Sequence, residues 1–264
     1  MNSKLVSTAI ICLFALTLCA QKEKNTAIKK DHPLYNLQGQ EITDPKVTEV
    51  WEPEPKTVTP GSTSSAPPSD AILLFDGAHA DAWKHEDGSP VKWEVSEGIM
   101  TVVPGTGQIE TKEKFRDCQL HIEWRSPDEP KRVGQDKGNS GVFFQGKYEV
   151  QVLNSYENRT YSNGQAGSIY KQYPPLVNAM RPPGEWNVYD IIFHAPQFDA
   201  DGNKTKNGTL TVIHNGVLVQ DHSVILGTTE YIGLPLNDAH GDGPIFLQDH
   251  SNKVSYRNIW LRRL

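Results

Sequence analysis

Apolar and polar residues alternate along most of the chain beyond Ile72. Leu120-His-Ile-Glu-Trp-Arg125 alternates for six residues, and Tyr148-Glu-Val-Gln-Val152 for five. Leu210 to His214 and Phe246 to His250 read as short strands, and Val254 to Leu264 as a longer closing one. Asn187 to Phe193 is denser in β-branched and aromatic residues, which favours a strand. Asp-Gly or Asn-Gly pairs fall at 76–77, 87–88, 201–202, 207–208, 215–216 and 242–243, the positions expected of hairpin turns. No stretch keeps a helical period over several turns. Many short strands with frequent turns predict an all-β, antiparallel jelly-roll sandwich over 71–264.

The first seventy residues have a different texture. Lys4 precedes an apolar run, Leu5 to Leu18, laid out as a secretory signal peptide over 1–20. A run of about fourteen residues is too short to remain as a membrane span. Two processing routes are open. Cleavage after the small Ala20 would leave Gln21 first. Leu16-Thr-Leu-Cys19 instead resembles a lipoprotein box, which would put a lipid anchor on Cys19 despite the bulky Leu18. Either route predicts a protein outside the cytoplasm: secreted, periplasmic or an outer-membrane lipoprotein. Residues 21–70, with Pro53, Pro55, Pro60, Pro67, Pro68 and Ser62 to Ser65, predict a largely disordered tether in which only Tyr35 to Ile42 could dock.

Composition narrows the function. Lys+Arg number 26 against Asp+Glu 32, a net charge of −6 that offers no field for nucleic acid. The cysteines are Cys12, Cys19 and Cys118, so the mature chain has no intramolecular disulfide, and Cys118 reads as a core residue. HExxH, P-loop and GxSxG patterns are absent, and His79, His85 and His222 lack paired metal-ligand spacing.

Residues i and i+2 of a strand share a face. If the strands at 120, 148 and 246 lie in one sheet, its outer face carries Arg125, Glu149, Gln151, Gln248 and His250, a surface suited to sugars. A solvated sandwich face would look the same. Trp83, Trp93 and Trp124 read as core. Gly138-Asn-Ser-Gly141 before Val142-Phe-Phe144 suggests a close backbone approach to a ligand or another loop. Gly184-Glu-Trp-Asn187 places a polar residue at a strand mouth, where binding groups concentrate.

Taken in order, these features resemble a known family. The series runs Leu74-Phe-Asp-Gly77 with Trp83, Trp93-Glu-Val95, Glu123-Trp-Arg125, Asn139-Ser-Gly141, Tyr148-Glu-Val-Gln151, Gly167-Ser-Ile-Tyr170 and Gly184-Glu-Trp-Asn187. It closes with Asn215-Gly216, Ile245-Phe-Leu-Gln248 with His250, and Arg257-Asn-Ile259. The chain resembles the bacterial 3-keto-disaccharide hydrolases over about residues 71–264. That resemblance implies a concanavalin A-like sandwich and a glycoside or oligosaccharide substrate oxidised at C3. It also implies a separate enzyme that performs the oxidation. A C3 ketone acidifies the C2 proton, so a base can remove it and the enolate can expel the C1 substituent before water adds.

Catalytic candidates are Glu149 and His250 as base and Arg125 as a donor to the enolate. Asn139, Ser140, Gln151, Tyr170, Asn187 and Gln248 are candidate substrate-binding residues. Among these, Gln151, Gln248 or Asn139 could also serve the enolate, and Tyr170 could act as acid or orienting hydroxyl. No cofactor is demanded, although Glu149, Gln151 and Asp249 offer oxygens to a divalent cation such as calcium. Two rivals stand beside this reading. An ordinary retaining glycosidase needs a second carboxylate near Glu149, where the strand has the amide of Gln151. A tethered, non-catalytic sugar-binding module would use Tyr156, Tyr161, Tyr170 and Tyr173 as stacking surfaces. The Asn-X-Ser/Thr sequences at Asn158, Asn203 and Asn207 need no glycan in a bacterial protein.

Overall fold

The computed structural model describes residues 30–264, so the leader with Cys12, Cys19 and both cleavage readings lies outside the described residues. The chain divides into two compact units, up to Thr57 and from Val58 onward. In the first, the described residues form short 3-10 turns at Tyr35–Leu37 and Pro45–Thr48, the latter capped by the Asp44 carboxylate on the Lys46 N–H.

The second unit is the antiparallel jelly-roll sandwich that alternation predicts. Its strands are β1 (Ile72–Phe75), β2 (Trp83–His85), β3 (Glu94–Ser96), β4 (Ile99–Thr101), β5 (Ile109–Thr111), β6 (Cys118–Arg125), β7 (Ser140–Phe144) and β8 (Tyr148–Val152). There follow β9 (Asn187–His194), β10 (Gln197–Phe198), β11 (Lys204–Lys206), β12 (Thr209–His214), β13 (Val217–Val224), β14 (Phe246–Leu247) and β15 (Ser255–Arg263). One sheet runs β13-β12-β9-β6-β15-β4-β3, with β1 also paired to β15; the other runs β2-β5-β14-β7-β8. A small ribbon, β10-β11, stands apart. Among the described residues no helix is long and apolar enough to cross a membrane.

The core lies between the two sheets. Leu120, Ile122 and Trp124 of β6 meet Val142, Phe144, Val150 and Val152 of the smaller sheet, all essentially without solvent contact. Phe144 stacks on Phe193 at 4.8 Å between ring centres. Trp83, Trp93 and Trp124 are buried, as expected. Cys118 is buried too, and desolvation pushes its thiol up to about 12, which leaves it inert.

Two phenols of the larger sheet cross the core to the smaller one. Tyr189 Oη donates to the Gln151 carbonyl at 2.8 Å. Tyr256 Oη donates to Ser140 Oγ at 2.6 Å, and Ser140 Oγ donates on to the Gln248 carbonyl at 2.6 Å. Ser140, expected to touch substrate, therefore faces the core and fastens β7 to the chain after β14.

The outer face of the larger sheet departs from expectation. His121 and Glu123 are buried rather than solvated. His121 Nδ1 meets Asp190 at 2.7 Å, and Glu123 accepts from Arg257 at 2.6 Å and from Asn258 at 2.9 Å. The Ser65 carbonyl accepts from both Asn258 and Trp260. Arg262 pairs with Asp70 at 2.7 Å. Residues 58–70, read from composition as tether, thus lie over this face.

The relay predicts a stability ordering. Ser140→Ala strands a buried phenol and a buried carbonyl together and is expected to cost about 1–3 kcal/mol. Tyr256→Phe leaves the Ser140–Gln248 link intact and is expected to cost about 1 kcal/mol. Urea unfolding of the two variants against the wild type measures the difference.

Candidate active site

Strand pairing fixes what the smaller sheet presents on its outer side. Phe246 pairs with Phe143, and Phe143 with Glu149, which sets these three side by side; in the next outward row Gly141 pairs with Gln151. The Gln248 N–H donates to the Gly141 carbonyl, so Gln248 joins that row. Parity along β7 adds Asn139. The result is a cavity of about 230 Å³ lined by Asn139, Phe143, Glu149, Gln151, Tyr170, Thr229, Tyr231, Gln248 and His250. Six of the sequence candidates thus converge. A larger cleft of about 510 Å³ lies beside β2, with Lys84, Ser89 and Lys112 among its lining residues. It has no buried unpartnered carboxyl, so the smaller cavity is the stronger candidate for a chemical site.

Glu149 sits in the cavity floor. Its side chain is 4% exposed and has no hydrogen-bonding or ionic partner among the described residues. Burial alone pushes its carboxyl up to about 8. Its position depends on Gly141: a Cβ there would lie 2.6 Å from Glu149 Oε1 and 2.7 Å from the Phe143 ring. The glycine pair flanking Asn-Ser does mark a close approach, but the approaching group is a neighbouring strand's carboxyl. At the other glycine, a Cβ on Gly138 would meet Ser126 at 2.8 Å.

Three amides surround the acid. Asn139 Nδ2 donates to the Gln135 carbonyl at 2.6 Å. Gln151 Nε2 donates to Gln135 Oε1 at 3.2 Å, and Gln151 Oε1 is buried without a partner. Gln248 Oε1 is likewise buried and unpartnered. Polar atoms of this kind must be met by water or by a polar ligand entering the cavity, because leaving them without a partner costs about 1–3 kcal/mol each. The Tyr170 hydroxyl bonds Tyr161 Oη at 2.7 Å. Burial, then that bond, then the nearby Glu149 raise its pKa, so it remains a neutral donor or acceptor. His250 is solvent-exposed at the mouth.

Three sequence candidates lie elsewhere. Arg125 ends β6 in the larger sheet, where its guanidinium lies 4.7 Å from the Trp186 ring centre, so it does not share a face with Glu149. Alternation gives the face of a strand and not the sheet that holds it. Asn187 is fully buried in β9; its Oδ1 accepts from the Arg181 N–H and from Asn215. Ser140 is the core relay already described. Asp249 uses Oδ2 to accept from the Gly105 and Gly107 N–H groups at 2.7 and 3.0 Å, so the oxygen set considered for calcium does not converge. Among the described residues no group of three His, Cys, Asp or Glu side chains is placed to hold a metal.

Thr229, Tyr231, Phe143 and Gln135 were missed. Phe143 was legible from the parity of Asn139 and Gly141. Thr229 Oγ1 receives the Glu149 N–H at 3.0 Å from a loop eighty residues away, a contact that leaves no local pattern.

Residues 70–262 match the family described as 3-keto-alpha-glucoside-1,2-lyase-like domains. The chain belongs to this family. A 3-keto-disaccharide hydrolase of Bacteroides thetaiotaomicron is 24% identical over 240 residues, which span 73% of this chain and 78% of that protein. A candidate glycosyl hydrolase from Parabacteroides distasonis has a crystal structure that superposes with TM-score 0.80. It is 53% identical, covering 84% of this chain and 97% of that one. A second protein from the same organism, 22% identical with TM-score 0.55, shares the fold.

The buried acid carries a stability signature. Glu149 is protonated in both folded and unfolded chains below its unfolded value near 4.5. Above that value the unfolded chain releases its proton first, so this residue's contribution to stability falls as pH rises toward about 8. Glu149→Gln removes the loss. The variant is expected to melt above the wild type at pH 8.5, with the gap closing toward pH 4.5, in thermal scans across that range.

Proposed function

We propose that this protein hydrolyses 3-keto-glucosides by elimination followed by hydration. The observation that carries the reading is Glu149: a buried, unpartnered acid with a pKa near neutrality, ringed by amides rather than by a second acid. Glu149 is the only carboxylic acid among the residues lining the cavity. A retaining glycosidase needs two carboxyl groups about 5 Å apart, which disfavours that chemistry here.

The C3 ketone makes the C2–H bond acidic. The Glu149 carboxylate takes the C2 proton, and the bonding pair moves into a C2–C3 double bond with the charge on the ketone oxygen. Gln248 lines the cavity that this oxygen would enter, and a half-turn about its terminal bond presents NH₂ in place of its unpartnered oxygen, whereas the Gln151 NH₂ is already held by Gln135. Collapse of the enolate forms a C1–C2 double bond and breaks C1–O, with His250 at the mouth protonating the departing oxygen. Water then adds at C1 and a proton returns to C2, giving the free 3-keto sugar. Elimination alone would be lyase chemistry; the added water makes it hydrolysis. A base with a pKa near 8 is well matched to a carbon acid activated by one carbonyl.

The cavity is smaller than the ~300–1,000 Å³ typical of drug-sized sites, which suits a single sugar ring. The apolar run behind Lys4 supports export from the cytoplasm, freely or anchored through Cys19. The required ketone makes the enzyme dependent on a separate sugar 3-oxidase.

Turnover of 3-keto and unoxidised glucosides tests the reading. Glu149→Gln is expected to lower kcat/KM on the 3-keto substrate by about 10²–10⁴-fold. With Glu149 as base, wild-type kcat/KM is expected to rise with pH toward about 8. Full activity in Glu149→Gln, or equal turnover of the unoxidised sugar, would sink it.

A further inference from the structure

Beside the cavity a loop is held shut at its base: the Thr228 N–H donates to the Leu236 carbonyl at 2.8 Å, and the Leu236 N–H to Thr228 Oγ1 at 3.2 Å. Thr229 anchors it to the sheet through the Glu149 N–H and by donating its own N–H to the Lys147 carbonyl. Lys171 holds it from the other side, donating to the Tyr231 carbonyl with its ammonium 4.3 Å from the Tyr231 ring centre. The loop is therefore fixed, yet its tip is apolar and bare: Tyr231, Ile232 and Leu234 are 72%, 84% and 83% exposed. Burying none of these side chains is a cost without return unless something apolar meets them. Tyr231 also lines the cavity. The apolar surface thus begins in the cavity lining and continues outward, and a cavity sized for one ring leaves a C1 substituent to extend beyond it.

We propose that Tyr231 and the tip of the Thr228–Leu236 loop form the subsite for the leaving group, and that this group is a ring presenting an apolar face. The face could belong to an arene or to the axial-hydrogen side of a second sugar; both stack on a tyrosine ring held flat by a cation. This assignment rests on the cavity being the site of glycoside cleavage.

Calorimetric titration with unoxidised methyl glucoside, phenyl glucoside and a glucose disaccharide separates binding from chemistry. The wild type is expected to bind the phenyl glucoside, the disaccharide or both about tenfold more tightly than the methyl glucoside. Tyr231→Ala should remove most of that preference, and Leu234→Ser, a change on an exposed tip, should remove part of it. The ligand with the larger preference identifies the ring. Equal weakening of all three ligands by Tyr231→Ala, or weakening of none, would overturn the subsite. If the preference holds while the 3-keto forms of the same glucosides are not cleaved, the proposed reaction falls and the subsite stands.

Discussion

Everything at the site turns on the cost of taking one carboxyl group out of water. Glu149 has no cation beside it and no N–H aimed at its oxygens, so nothing in the protein offsets the loss of hydration. The proton supplies the missing stabilisation, which is why burial raises the carboxyl to about 8. A carboxyl with a guanidinium beside it would have been held ionised and weakly basic. Arg125 lies in the other sheet, against Trp186, and so does not offset the burial of Glu149.

Holding an unpartnered acid requires a rigid seat, and the sandwich provides one from both sides. Gly141 removes the atom that would collide with the carboxyl, while the Phe143 ring fills the space alongside. From beneath, Tyr189 directly and Tyr256 through Ser140 fix the backbone carbonyls of Gln151 and Gln248, the same residues whose side chains line the cavity. The larger sheet therefore does more than cover a core: it sets the height of the amides relative to the acid. Every residue of β7 and β8 is buried, inward ones by the opposite sheet and outward ones by the site loops.

Much of this was legible in the chain, and the errors have a common cause. Alternation placed Glu149 with Gln151 and Gln248 with His250, because which face a residue takes depends only on its neighbours two positions away. It could not say which strands share a sheet, since that depends on pairings between distant segments. Arg125 was misplaced for that reason, whereas Asn187 was misplaced because a strand mouth was taken to be exposed and it is buried among Arg181, His214 and Asn215. Polar character misled at His121, Glu123 and Ser140, each buried yet satisfied by partners far along the chain. Composition misled at 58–70, where proline and serine suggested an extended tether. Prolines pre-order a segment, and Ser65 needs only its backbone carbonyl to bind Asn258 and Trp260. Thr229 and Tyr231 belong to a loop without period or motif, so only the folded chain brings them to β8.

One acid among amides is also a statement about where the reaction's driving force resides. Direct displacement at C1 draws it from the protein, which must supply a nucleophile and an acid on opposite faces of the bond. Elimination draws it from the substrate, whose ketone has already weakened the C2–H bond and can store the electron pair. The protein then needs one base and neutral donors that follow charge as it moves onto oxygen. A second carboxylate in so small a cavity would raise the pKa of Glu149 further and repel an enolate. Under the proposed elimination, Gln151 in place of an acid, two residues from Glu149 on the same strand face, is what a substrate that arrives already oxidised would call for.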